Sequence, residues 1–143
     1  MTPTLFGRWQ TRIILFATVG VLATLPFTIG ILDIPSGDYL AILLWVGIFG
    51  MGWDIVYDKL QKFRWDRDWP ASFQLLAGIW EGIFTLFVLN VLRFPLPGIE
   101  KVPISFTTFL FHYSLVWIAV FTASQTVMRI IFPRWRFRGG KWI

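Results

Sequence analysis

Residues 71–92, ASFQLLAGIWEGIFTLFVLNVL, decide the fold. At 1.5 Å rise per residue, a helix of roughly 20 residues crosses a hydrocarbon core of about 30 Å, and this stretch has that length. Its only ionisable residue is Glu81. A carboxylate at mid-bilayer costs about 2.5–3.5 kcal/mol on insertion scales, so Glu81 is expected to face a protein interior and to have a partner or a function.

The rest of the chain agrees with a membrane reading. Of 143 residues, 56% are hydrophobic and 15% charged, with nine tryptophans and fifteen phenylalanines. The length suits a single domain, residues 1–143. There is no cysteine, which excludes disulfides, thiolate chemistry, iron–sulfur clusters and S-acylation. One histidine argues against multi-histidine metal or haem sites. Four windows reach spanning length, at 13–32, 39–57, 71–92 and 105–131, joined by a loop at 58–70 and followed by a tail at 132–143. The first window is too long for a signal peptide and lacks a small-residue cleavage site, so it counts as a span. Pro26 predicts a kink there, with Thr24 and Thr28 available to the freed carbonyls. The expected fold is an all-α, up-and-down four-helix transmembrane bundle.

Lysine and arginine placement sets the expected orientation. Arg8 and Arg12 precede the first window; Lys59, Lys62, Arg64 and Arg67 follow the second; Arg129, Arg134, Arg136, Arg138 and Lys141 close the chain. The other two connections hold Arg93 and Lys101, with Asp33 and Asp38 in the first of them. Both termini are therefore expected in the cytoplasm. Trp9, Trp53, Trp65, Trp69, Trp135 and Trp142 fall towards that side as an interfacial belt, while Pro35, Pro95, Pro97 and Pro103 mark turns on the other.

Small and polar residues at spacings of three and four predict the inward faces. These are Ala17, Gly20 and Thr24; Gly47, Gly50, Asp54 and Asp58; Gln74, Gly78, Glu81, Gly82 and Thr85; and Ser105, Thr108, His112, Ala119, Thr122, Thr126 and Arg129. By depth, Glu81 and His112 lie within a few ångströms of one level, so an intramembrane Glu81–His112 pair is expected. Nearer the cytoplasm, Asp54 and Arg129 are expected to pair, with Gln74 and Gln125 extending a polar layer that fixes helix register. The Gly78-x-x-x-Gly82 spacing, with Gly47 and Gly50, marks close helix approach within the bundle.

For function, the inner pair offers a proton relay, a cationic-solute site, or tetrapyrrole ligation by His112, the one cofactor considered. Small multidrug-resistance exporters carry their embedded glutamate in the first helix, unlike this chain, which argues against membership. The segments RWDRDWP (64–70) and PRWRFRGGKW (133–142) alternate basic and aromatic residues. Arg64, Trp65, Arg67, Trp69, Arg134, Trp135, Arg136, Arg138, Lys141 and Trp142 are thus candidates for anionic lipid headgroups or for docking a larger membrane complex. Asp66 and Asp68 are expected to meet Arg134, Arg136 or Arg138 in a small cap, with Gly139 and Gly140 turning the tail. Nucleic acid is a poor partner for short tails flanked by a membrane.

Trp53-Asp54, RWDRDWP, Trp80-Glu81-Gly82, His112-Tyr113 and PRWRFRGG together resemble a family of small four-helix integral membrane proteins of bacteria, cyanobacteria in particular, over residues 45–143. The resemblance implies a plasma or thylakoid membrane and carries no established activity. With no nucleophile–base set, metal cluster or phosphate loop in view, the sequence favours a non-enzymatic accessory, anchoring or assembly subunit. A small proton-coupled transporter or channel component using Glu81 is the alternative, and a pigment- or haem-binding subunit using His112 the third.

Overall fold

Most apolar side chains of this molecule point outwards. In the computed structural model, which describes residues 2–30, 38–100 and 102–142, residues such as Leu22, Leu44, Ile83 and Ile118 are exposed on helix flanks, as lipid-facing side chains are. The described residues form four helices and no strand: α1 (Leu5–Thr28), α2 (Tyr39–Phe63), α3 (Ala71–Val91) and α4 (Phe106–Ile131). Each is long and apolar enough to cross a membrane. The end of the first expected window, with Asp33, Pro35 and Lys101, lies outside the described residues.

Two boundaries differ from expectation for one reason. Helix α1 starts at Leu5 instead of 13, taking Arg8 and Arg12 into the helix, and α2 runs to Phe63 instead of 57. Thr4 caps α1, its hydroxyl accepting from Gly7 N at 3.1 Å. In both extensions the polar residues lie on the protein-facing side, where a hydropathy window counts them as flanks but neighbouring helices supply partners. Pro26 sits inside α1, while the irregularity of that helix is a π-turn at Phe16–Gly20. Thr24 turns to another helix and Thr28 bonds Leu25 O, so neither hydroxyl serves the expected proline role.

Each helix packs against its sequence neighbours, and α1 also packs against α4, closing a ring. Residue pairs between α1 and α2 run in opposite order: Arg8 with Gln61, Arg12 with Asp54, Phe27 with Tyr39. Tyr57, Trp53 and Phe49 meet Ala77, Trp80 and Phe84 on α3. Gln74 meets Ser124, and Asn90 meets Ile104, between α3 and the α4 side. Two apolar clusters sit towards opposite ends: Ile42, Val46, Val88, Leu89, Leu96, Ile99 and Phe109 in one; Leu15, Ala123, Met128 and Trp135 in the other.

The inward faces match expectation on α1 to α3 in part and shift on α4. Gly20, Thr24, Gly50, Asp54, Glu81, Gly82 and Thr85 are buried, and Gly47 and Gly78 half-buried, but Ala17 is exposed and Asp58 is half-buried in a 2.8 Å pair with Lys62. On α4 the buried face is Phe109, His112, Val116, Ala123 and Ser124, whereas Ser105, Thr122, Thr126 and Arg129 are exposed. The threonines mislead because a helical hydroxyl can satisfy itself: Thr126 Oγ1 donates to Thr122 O at 2.7 Å and needs no facing helix.

Candidate functional site

The centre of the bundle is an ion triad assembled from three helices. Arg12 of α1 donates from Nε and Nη2 to both oxygens of Asp54 on α2, at 2.9 and 3.0 Å, and from Nη1 and Nη2 to both oxygens of Glu81 on α3, at 2.8 and 3.0 Å. The guanidinium fork suits this bidentate geometry, which a lysine would not reproduce. Glu81 and Asp54 are 5% and 3% exposed. Gly50 makes the triad possible, since a Cβ there would lie 2.0 Å from Arg12 Nη1 and 2.8 Å from Glu81 Oε2. That is a function for Gly50 beyond helix approach: its missing side chain is the seat of the guanidinium.

Glu81 and His112 are therefore not partners, contrary to the sequence expectation. His112 Nε2 lies 3.0 Å from Thr24 Oγ1 on α1, and its ring packs against Phe27 and Tyr39 at centroid distances of 4.9 and 5.1 Å. The error was one of helix choice: depth placed both residues correctly near mid-span, but each finds its partner on α1 instead of in the α3–α4 hairpin. The π-turn explains how α1 serves both. Twelve residues of regular helix rotate Thr24 about 120° away from Arg12, whereas one inserted residue reduces the offset to about 20° and puts both on one face. At 2% exposure, with Nε2 engaged and aromatic rings around it, His112 does not fit a tetrapyrrole ligand, which would need a ring nitrogen facing open space.

The expected Asp54–Arg129 pair is also replaced. Asp54 belongs to the triad, and Arg129 donates to Gln125 Oε1 one turn away. The glutamine layer does form: Gln125 Nε2 donates to Gln74 Oε1 and Gln74 Nε2 to Ser124 Oγ, both at 3.0 Å, tying α3 to α4. Gly78 and Gly82 also serve α4. Tyr113 OH donates to Gly78 O, a Cβ on Gly78 would lie 1.3 Å from Trp117 Nε1, and one on Gly82 2.7 Å from the Tyr113 ring.

The basic-aromatic tail is folded, though against α1 and not through Asp66. Thr4 N donates to Gly139 O at 2.7 Å, Thr11 Oγ1 to Gly140 O at 3.0 Å, and Trp135 Nε1 to Thr11 Oγ1 at 2.8 Å. Gly139 and Gly140 adopt φ of 63° and 87°, the left-handed turn that glycine allows, and Gly7 leaves room for the tail, since its Cβ would lie 2.1 Å from Gly139 O. Trp135 is a buried anchor at 5% exposure, so it leaves the list of headgroup candidates. Asp66 instead accepts from Arg64 Nε and Nη2 within its own loop, and this fork holds its carboxyl at about 2, below the ordinary range. Arg8 stacks over Trp69 at 4.5 Å and donates to Gln61, which in turn donates to Arg67 O. Phe63, Trp65 and Phe137 stand out at 87%, 96% and 89% exposure among exposed Arg67, Arg134, Arg136 and Arg138, with Arg64 half-buried and Trp142 at the edge.

A cavity of about 400 Å³ runs inside the bundle from the tail, at Trp135 and Arg136, past the triad to His112. Among the described residues no cluster of three or more His, Asp or Glu side chains is placed to hold a metal. Sequence reading missed Arg12, Arg8, Thr24, Thr11 and Tyr113. The available signal was Arg8 and Arg12 one turn apart, directly before an uninterrupted apolar run, which fits one polar stripe on a longer helix. No family model, no curated protein and no solved structure matches this chain.

Proposed function

We propose that this chain is a non-enzymatic accessory or assembly subunit of a larger membrane complex, an up-and-down four-helix bundle with both termini in the cytoplasm. The observation that carries the reading is the ordered terminal cap. A tail that only held anionic lipid would need charge and no fold, yet this one is pinned by Trp135, Gly139 and Gly140 while Arg134, Arg136 and Arg138 alternate outwards beside Phe63, Trp65 and Phe137. Rigid aromatic anchors with arginine are the residue types that carry binding energy at protein interfaces. The triad is then the internal clamp that sets helix register. A bacterial plasma or thylakoid membrane is the location the family resemblance supports.

The test is a mild-detergent pull-down of the intact protein beside an Arg134→Glu, Arg136→Glu, Arg138→Glu variant. These three side chains are exposed, so the substitutions leave the Trp135 anchor in place. A stoichiometric partner held by the parent and lost from the variant is the expected result; equal retention, or none in either, would remove the docking role.

A second reading rests on the internal cavity, whose wall contains Arg12, Asp54 and Glu81. In a small transporter or channel component these groups would exchange protons or cations along that route. It predicts pH-dependent flux in liposomes that Glu81→Gln abolishes while assembly persists.

A further inference from the structure

The seam between α3 and α4 is fastened at both ends and thin in the middle. At the tail end the fastening is Gln74 with Ser124 and Gln125; at the other, Asn90 exchanges two hydrogen bonds with Ile104, at 3.0 and 2.8 Å. Between them, the inner cavity and an apolar outer groove of about 350 Å³ share two wall residues, Tyr113 and Trp117. The groove is lined by Leu75, Ile79, Ile83, Leu110, Ser114 and Ile118, at the depth of acyl chains if the helices span a bilayer. Glycines hold this wall: Tyr113 bonds Gly78 O, and Trp117 Nε1 lies over Gly78 with no hydrogen-bond partner. A ring with an unsatisfied N–H forfeits no hydrogen bond on turning aside.

The charge on the inner side is unbalanced. Arg12 supplies one positive charge against the carboxylates of Asp54 and Glu81, and Arg8, held by Gln61 and Trp69, hydrogen-bonds neither. The remaining charged groups in the wall, Asp68, Arg129 and Arg136, lie towards the tail end. Beside Glu81, the faces of Tyr113 and Trp117 are the surfaces on which a cation rests well.

We propose that this seam binds a membrane amphiphile with an ammonium head, the head on the inner side against Glu81, Tyr113 and Trp117 and the chain in the outer groove. The inference goes beyond the docking role and does not depend on it. A substituted ammonium on a lipid headgroup and one on a free single-chain cation share this chemistry.

The test is native mass spectrometry of the full chain released from neutral maltoside micelles. Dodecyltrimethylammonium, dodecyl sulfate and a diacyl phosphatidylethanolamine are added separately below micellar concentrations. The expected result is one-to-one binding of the alkylammonium and not of the sulfate. Ser114→Trp, which fills the groove, should abolish it, and Glu81→Gln, which keeps an acceptor for Arg12, should weaken it at least about tenfold. Should Ser114→Trp lose the parent's melting transition, Ile79→Trp on the facing helix replaces it. Competition by the phosphatidylethanolamine would identify a lipid as the source, and its failure to compete a free cation. Equal binding of the sulfate, or undiminished binding in either variant, overturns the proposal.

Discussion

The same ionic fork occurs twice in this molecule, once inside the bundle and once in a loop. Arg12 grips Asp54 through Nε and Nη2 at 2.9 and 3.0 Å, and Arg64 grips Asp66 through the same two atoms at 3.0 and 2.9 Å. The side chains differ in surroundings: 15% and 5% exposed for the first pair, 36% and 31% for the second. Geometry therefore does not set what these forks contribute. In the bundle, an unpaired charge has nowhere to go, and the fork is obligatory; in the loop, water replaces a lost partner. Glu81 sharpens the contrast, because the inner guanidinium must serve a second carboxylate and the outer one need not.

The largest effect expected from breaking this comparison is Arg12→Leu. It strands two buried carboxylates at once, and removal of one partner from a buried pair costs about 3–5 kcal/mol. Thermal unfolding in detergent should show a large loss of melting temperature or no folded material. A triple Leu substitution at Arg12, Asp54 and Glu81 should recover most of that loss, since apolar replacements of similar volume are often neutral or stabilising. If the triple variant is as unstable as the single one, packing rather than charge compensation holds this part of the bundle together.

Gly50→Ala comes next. Its Cβ would occupy the seat of Nη1, so Arg12 must shift and the fork must loosen, at a cost of about 1–3 kcal/mol by the measure of overpacked cores. Gly52 on the same helix has nothing within 4 Å of a Cβ, so Gly52→Ala is the control and should leave the melting temperature unchanged or raised. Equal effects at the two positions would sink the idea that Gly50 is a socket.

The sequence exposed the socket and both carboxylates but not the cation that joins them. Glu81 declared itself because one charge in an apolar run has to be compensated, and Gly50 and Asp54 followed from helical spacing. Arg12 did not, because hydropathy treats a terminal arginine as a flank, and its partners lie 42 and 69 residues away on other helices. Helix α1 was doubly obscured, since a π-turn leaves no mark in composition yet rotates Thr24 onto the face of Arg12. The tail was legible in its residue types and not in its anchor: Trp135 is one of several similar tryptophans until Thr11 gives its Nε1 a partner. His112 was read as deep and polar, which it is, but no charge specifies its neighbour. Its contact with Thr24 is a single hydrogen bond within an aromatic box, so His112→Leu should change stability by no more than about 1 kcal/mol, measured by the same unfolding assay.

The smallest expected effect is at the exposed fork, and its pH dependence follows from the sign of the shift. Bonding to Arg64 holds the Asp66 carboxyl at about 2, below the ordinary value near 3.9, so the folded loop favours the ionised form. Whatever the pair contributes is present above about pH 4 and is lost as the pH falls through about 2. At neutral pH, Asp66→Asn should therefore leave the melting temperature unmoved, because an exposed pair exchanges one set of partners for solvent. A carboxyl-detected titration of Asp66 should have its midpoint near 2 in the parent and return towards the ordinary value in Arg64→Gln. A midpoint already ordinary in the parent would mean that the loop fork does not persist in solution. The contrast with Arg12 would then be between a formed fork and an absent one rather than between two dielectric surroundings of the same bond.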